Sequence, residues 1–105
     1  MKKEITKFQK RVYVATKKIP RGRVATYAAL ARFIGKPKAS RAVGNALSVN
    51  PFSPQVPCHR VVKSDGEVGG FAFGTERKIA LLRKEGIKVE NGRIKDFRSA
   101  IVNLR

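Results

Sequence analysis

The sequence predicts an α+β domain, mostly helical, organised as a winged-helix-like helix-turn-helix with a short C-terminal β-hairpin. Three observations predict it. Apolar residues recur at steps of three and four near the N-terminus, two helical segments flank a tight basic turn, and alternating apolar residues surround Asn91-Gly92.

From Glu4 to Ile19, the residues Ile5, Phe8, Val12, Ala15 and Ile19 mark one face of an amphipathic helix, with Lys and Arg on the other. Pro20-Arg21-Gly22 ends it. Thr26 carries the hydroxyl of an N-cap for a second helix through Tyr27, Leu30, Phe33 and Ile34, which Gly35 closes and Pro37 keeps from continuing. A short third helix is expected over residues 39–47, where Val43, Ala46 and Leu47 share a face and Arg41 stands near the start. Asn50 to Pro57 contains three prolines and reads as an extended, rigid loop leading into Cys58. Val61-Val62 suggests a strand, Ser64-Asp65-Gly66 a turn, and Gly69 to Gly74 a glycine-rich loop that lets backbone approach a ligand. Thr75 is the expected cap of a helix running to Glu85, with Gly86 as its stop. Asn91-Gly92 then turns a two-stranded ribbon over residues 87–95, and residues 98–105 carry no clear pattern.

At 105 residues the chain is expected to be one domain, 1–105, with a single modest core. A hydrophobic content of 42%, with six Phe and two Tyr, argues for a folded protein. No apolar run approaches the roughly 20 residues needed to cross a bilayer. The start, Met1-Lys2-Lys3-Glu4, is charged and no apolar signal segment follows, so the expected location is cytoplasmic. One Cys and one His exclude an intrachain disulfide and cannot complete a structural zinc site, so no metal is expected. Twenty-four Lys and Arg against seven Asp and Glu give a net charge of +17, whose commonest use is attraction to a phosphate backbone. Nucleic acid is therefore the expected partner, and no Trp-bearing amphipathic face supports a membrane.

The only Cys, Cys58, stands beside the only His, His59, with Arg60 next. A thiol becomes a good nucleophile when a base or cation stabilises its thiolate, and both residue types are at hand. Adjacent residues on a regular strand point apart, so the pair cooperates only across a bend or a water; Pro57 makes a bend plausible. A cysteine protease is a poor reading, because its His normally arrives from a distant segment. Glu85 is a candidate third member that would orient His59, set against the simpler reading of a solvated helix-end carboxylate.

The stretch Pro57-Cys58-His59-Arg60-Val61-Val62 resembles the active-site motif of the O6-alkylguanine-DNA alkyltransferases, or methylated-DNA–protein-cysteine methyltransferases. Four more matches follow in order between about Phe8 and Gly86: residues 22–27 (Gly-Arg-Val-Ala-Thr-Tyr), residues 37–44 (Pro-Lys-Ala-Ser-Arg-Ala-Val-Gly), Asn50-Pro51, and Lys84-Glu85-Gly86. The resemblance covers that family's C-terminal catalytic and DNA-binding domain, without its N-terminal domain.

The resemblance implies a cofactor-free monomer acting on double-stranded DNA that contains O6-alkylguanine, and on O4-methylthymine, with other repair proteins as further partners. It implies that Cys58 keeps the alkyl group in one irreversible turnover. His59 would take the thiol proton through a water, Glu85 would hold His59, Tyr27 would reach the extruded guanine, and Asn50 would brace the loop. Base extrusion costs a few kcal/mol, and Arg41 would fill the vacated stack. Ala42 and Gly44 would let the third helix approach the minor groove, and Lys36, Lys38 and Arg60 would complete the DNA contacts. Tyr27, Leu47, Val61, Phe71 and Ala72 would line the base pocket. Phe71 and Ala72 stand where many family members have Tyr and Ser, so altered preference among alkyl groups is expected. The rival implication is a non-catalytic alkyltransferase-like sensor; those proteins lack the reactive Cys, and Cys58 favours repair.

Overall fold

A computed structural model of the chain describes residues 5–52, 55–71 and 73–104. Helix α1 spans Lys7–Thr16 and begins where local chemistry dictates: the Thr6 hydroxyl accepts from Gln9 N–H while the Gln9 side chain accepts from Thr6 N–H. This reciprocal capping box shortens the helix expected from Glu4 to Ile19, and Glu4 lies outside the described residues. After α1, strand β1 (Ala25–Thr26) leads directly into α2 (Tyr27–Phe33), whose first turn is capped by the Thr26 hydroxyl accepting from Ala29 N–H. Helix α3 spans Ser40–Ser48, so the two helices and the basic turn between them form the expected helix-turn-helix.

Strand β2 (Val61–Val62) pairs in parallel with β1, Ala25 opposite Val61 and Thr26 opposite Val62. Helix α4 covers Thr75–Lys84. Its cap differs from expectation: Gly74 takes the N-cap position with φ 96°, and Thr75 is the first helical residue without a side-chain capping bond. Strands β3 (Val89–Glu90) and β4 (Arg93–Ile94) pair antiparallel about Asn91 and Gly92, at φ 52° and 75°. Both central residues therefore sit in the left-handed region that a tight hairpin turn requires, which Asn-Gly supplies at least cost. Helix α5 (Phe97–Ala100), for which the sequence carried no pattern, leads Ile101 into a parallel bridge with Val24.

The expected single core resolves into two clusters on either side of the β1–β2 ladder. Ala25 and Val61 join α1, α2 and α3 in one cluster, whereas Val24 and Val62 join Val68, Leu82, Ile87, Val89 and Ile94 in the other. Alternation along a strand produces the division, since neighbouring side chains leave on opposite faces. Tyr13 ties the helical cluster together: its ring is buried and its hydroxyl donates to Ala46 O at 2.7 Å, joining α1 to α3.

Candidate active site and its helix-turn-helix

The short parallel ladder explains how distant residues meet. Because β1 runs straight into α2 and β2 begins straight after Arg60, the parallel ladder, only two residues long, leaves Tyr27 past one end and Cys58 before the other, near enough to line one cavity. The result is a cavity of about 260 Å3 lined by Tyr27, Gly44, Leu47, Ser48, Cys58, Gly70 and Phe71. Cys58 is a free thiol, 6% exposed.

The loop before Cys58 is not the extended segment expected. Residues 51–52 and 55–56 turn, Val56 N–H donates to Phe52 O at 2.8 Å, and Cys58 N–H donates to Val56 O at 2.8 Å. Ser53 and Pro54 lie outside the described residues. Asn50 braces this turn through two bonds, its amide donating to Val56 O at 3.0 Å and its carbonyl accepting from Phe52 N–H at 2.9 Å. Each Asn50 contact here is to backbone, so its place is that of a positioning residue. At Cys58–Arg60 the backbone makes one turn of 3-10 helix, the bend that lets adjacent residues serve different partners.

That turn carries His59 toward α4, where its Nε2 lies 2.9 Å from Glu85 Oε2 at the helix C-cap. Burial pushes the Glu85 carboxyl up, but Arg60 and then His59 outweigh it and hold the pKa at about 2. The carboxylate can only accept, so His59 Nε2 carries the hydrogen. Burial lowers the His59 pKa more than Glu85 raises it, so the ring is neutral at pH 7 and its Nδ1 is left as a basic lone pair.

Arg60, expected among the DNA contacts, is turned toward Glu85. Its Nε and Nη2 donate to the two Glu85 oxygens at 2.9 and 2.8 Å, and its Nη1 donates to Ile19 O at 2.9 Å. Three of its five donors are used this way, which ties the guanidinium to Glu85 and to the end of the α1 segment. The Val61 side chain is fully buried in the helical core, and Val61 is not among the residues that line the cavity. Gly44 lines the cavity, and a Cβ there would meet the Tyr27 ring at 3.8 Å, an ordinary contact. Leu47 and Phe71 line the cavity, while Ala72 lies outside the described residues. Lys36, Lys38, Arg41 and Ala42 are exposed on the turn and on the outer side of α3.

Lys78 is the residue the sequence reading missed. Its side chain is fully buried, with Nζ 3.1 Å from Gly70 O and 3.4 Å from the Tyr27 hydroxyl oxygen, to both of which it donates. Burial lowers its pKa to about 8, partly opposed by the Cys58 charge. The Tyr27 oxygen accepts from this cation, which leaves the phenol's own hydrogen free to donate into the cavity. Tyr27 remains a neutral phenol, because burial and the nearby Cys58 charge raise its pKa. A signal existed in the spacing: Lys78, Leu82 and Glu85 recur at steps of four and three, which puts the lysine on the inward face of α4. Gly69 packs beside Tyr27. At φ 77°, a Cβ on it would sit 3.5 Å from the Tyr27 hydroxyl oxygen.

Fold and site together define a helix-turn-helix domain with a buried free thiol, a His-Glu-Arg cluster and a Tyr-Lys pair. Residues 7–87 match the model of the DNA-binding domain of 6-O-methylguanine DNA methyltransferases, and the chain belongs to that family. It is 51% identical over 83 residues to a methylated-DNA–protein-cysteine methyltransferase of Methanosarcina acetivorans, covering 79% of this chain and 53% of that protein. The chain thus spans about half the length of that relative. Among solved structures, Mycobacterium tuberculosis OGT in complex with DNA superposes with a TM-score of 0.77 at 44% identity, over 79% of this chain and 51% of that one. S. pombe Atl1, in complex with damaged DNA containing O6-carboxymethylguanine, superposes with a TM-score of 0.83 at 30% identity, over 95% of this chain and 98% of that one.

Among the described residues no helix is long and apolar enough to cross a membrane, and no group of three or more His, Cys, Asp and Glu is placed to hold a metal ion.

Proposed function

We propose that this chain repairs DNA by moving the alkyl group of O6-alkylguanine onto its own Cys58. The observation that carries the reading is a free, buried thiol lining a cavity whose opposite wall holds a cation-polarised phenol. A volume of about 260 Å3 suits a single extruded base. The thiol proton passes to His59 Nδ1, directly or through one water, and the thiolate attacks the alkyl carbon. A C–S bond forms as the C–O6 bond breaks, and the departing guanine, which gains the electron pair, is protonated by the Tyr27 hydroxyl. Lys78 lies behind that hydroxyl and stabilises its developing negative charge. Because a thioether has no leaving group here, each molecule reacts once. O4-methylthymine presents an equivalent alkyl oxygen, and the same steps apply.

On the DNA side, α3 begins at Ala39 without a side-chain cap, and Arg41 is exposed in its first turn. Free N–H groups and a guanidinium at one helix start suit a phosphate and a vacated base stack, with Lys36 and Lys38 alongside.

A second reading, a lesion sensor that does not transfer the group, is favoured by one observation: Atl1 matches nearly end to end, whereas the methyltransferases match over about half their length. Intact-mass spectrometry after incubation with a duplex containing one O6-methylguanine separates the two. A gain of one methylene mapped to Cys58, absent with unmodified duplex and in Cys58→Ala, supports transfer. Lesion-selective binding without any gain supports the sensor.

A further inference from the structure

The helical half of the molecule carries a second concavity, of about 510 Å3, that shares no residue with the Cys58 cavity. Its floor is apolar, made by Val14 and Ala15 of α1 and by Phe33 and Ile34 at the end of α2, and its rim is Lys7, Lys10 and Arg11. Val14 is 52% exposed in the last turn of a helix whose other outward positions are mostly cationic. Helix α1 has no acidic residue, and among the described residues no ion pair occupies Lys7, Lys10 or Arg11. Arg11 donates to Ile34 O, which fastens α1 to the end of α2 and gives the groove a fixed shape.

A phosphate backbone would use the rim and gain nothing from the floor, since its contacts are ionic and polar. A second copy would bring another large positive charge to a basic rim. An acidic amphipathic segment satisfies both parts at once, its Leu or Phe side chains entering the floor and its carboxylates meeting the rim. We infer that the α1–α2 groove is a docking site for an acidic, amphipathic helix of a partner protein, independent of the chemistry at Cys58.

The test is fluorescence anisotropy of the full chain with a short labelled helix that places Leu and Phe at steps of three and four among Glu residues. A control peptide of equal charge has Ser in place of Leu and Phe. The apolar peptide is expected to bind about tenfold tighter, and Val14→Asp, at an exposed position that does not threaten folding, should abolish the difference. Equal affinity of the two peptides would overturn the proposal, because attraction would then be charge alone. Displacement of the peptide by unmodified duplex, with weaker DNA binding in Lys7→Ala/Lys10→Ala, would assign the face to DNA instead. Concentration-dependent dimers that Val14→Asp dissolves would assign it to a second copy.

Discussion

In the proposed transfer, Lys78 and His59 carry the residue-scale chemistry, and pH acts on both. A buried ammonium whose contacts are a phenol and a carbonyl is kept at a cost, which its pKa of about 8 against 10.5 expresses. Between those values the unfolded chain holds the proton more tightly than the folded one, so folding stability rises with pH from about 8 to 10.5. Lys78→Met removes the group while keeping much of its volume. The stability of wild type relative to this variant should therefore climb across that window in denaturant titrations, while the transfer-rate ratio of wild type to variant should fall as pH passes 8. A flat rate ratio would make Lys78 structural only. For His59, replacement by Ala removes the proton acceptor and should slow transfer about 10²–10⁴-fold while leaving lesion binding intact, measured by single-turnover mass spectrometry and anisotropy. Equal rates would leave the thiol to lose its proton by another route.

Elements, rather than single side chains, decide whether these groups meet. The bond from the Tyr13 hydroxyl to Ala46 O is buried and joins α1 to the helix bearing Arg41. Tyr13→Phe should cost about 1–2 kcal/mol, since it leaves the carbonyl unpaired, and should lower the midpoint of thermal unfolding by several degrees with the transfer rate unchanged. Much at this scale was legible in the sequence. Thr26 with its apolar run located α2, Asn91-Gly92 located the hairpin, and Pro57 signalled the bend at Cys58, because caps and turns are local chemistry. Glu85 was a candidate partner for His59 from the sequence, and the folded chain brings the two side chains to 2.9 Å. What stayed hidden was non-local. No local pattern pairs Ala25 with Val61, no property of Arg60 alone tells whether it faces phosphate or Glu85, and a lysine on an otherwise charged helix does not announce burial. Helix α5 was missed for a related reason: at four residues, without a side-chain cap, it is held by packing of Phe97 and by the Val24 bridge rather than by propensity.

For the molecule as a whole, the net charge of +17 has to be divided between surfaces, and salt dependence is the means of dividing it. Each phosphate neutralised by a cation lowers the logarithm of affinity by about 0.9 per decade of salt. The exposed Lys36 and Lys38 belong to the turn before α3, whereas Lys7 and Lys10 belong to the groove beside α2. If DNA lies along α3, Lys36→Ala and Lys38→Ala should each reduce the slope of log K against log salt by close to one, for lesion-bearing and unmodified duplex alike. Arg41→Ala should act differently: a side chain that fills the space left by an extruded base matters more when the base is out, so its loss should weaken lesion binding more than binding to unmodified duplex. Lys10→Ala should leave both slopes where they were, because its charge faces the α1–α2 groove. A slope reduced equally by all four substitutions would mean that the positive field acts as one diffuse surface, and the helix-turn-helix would lose its claim to orient the DNA.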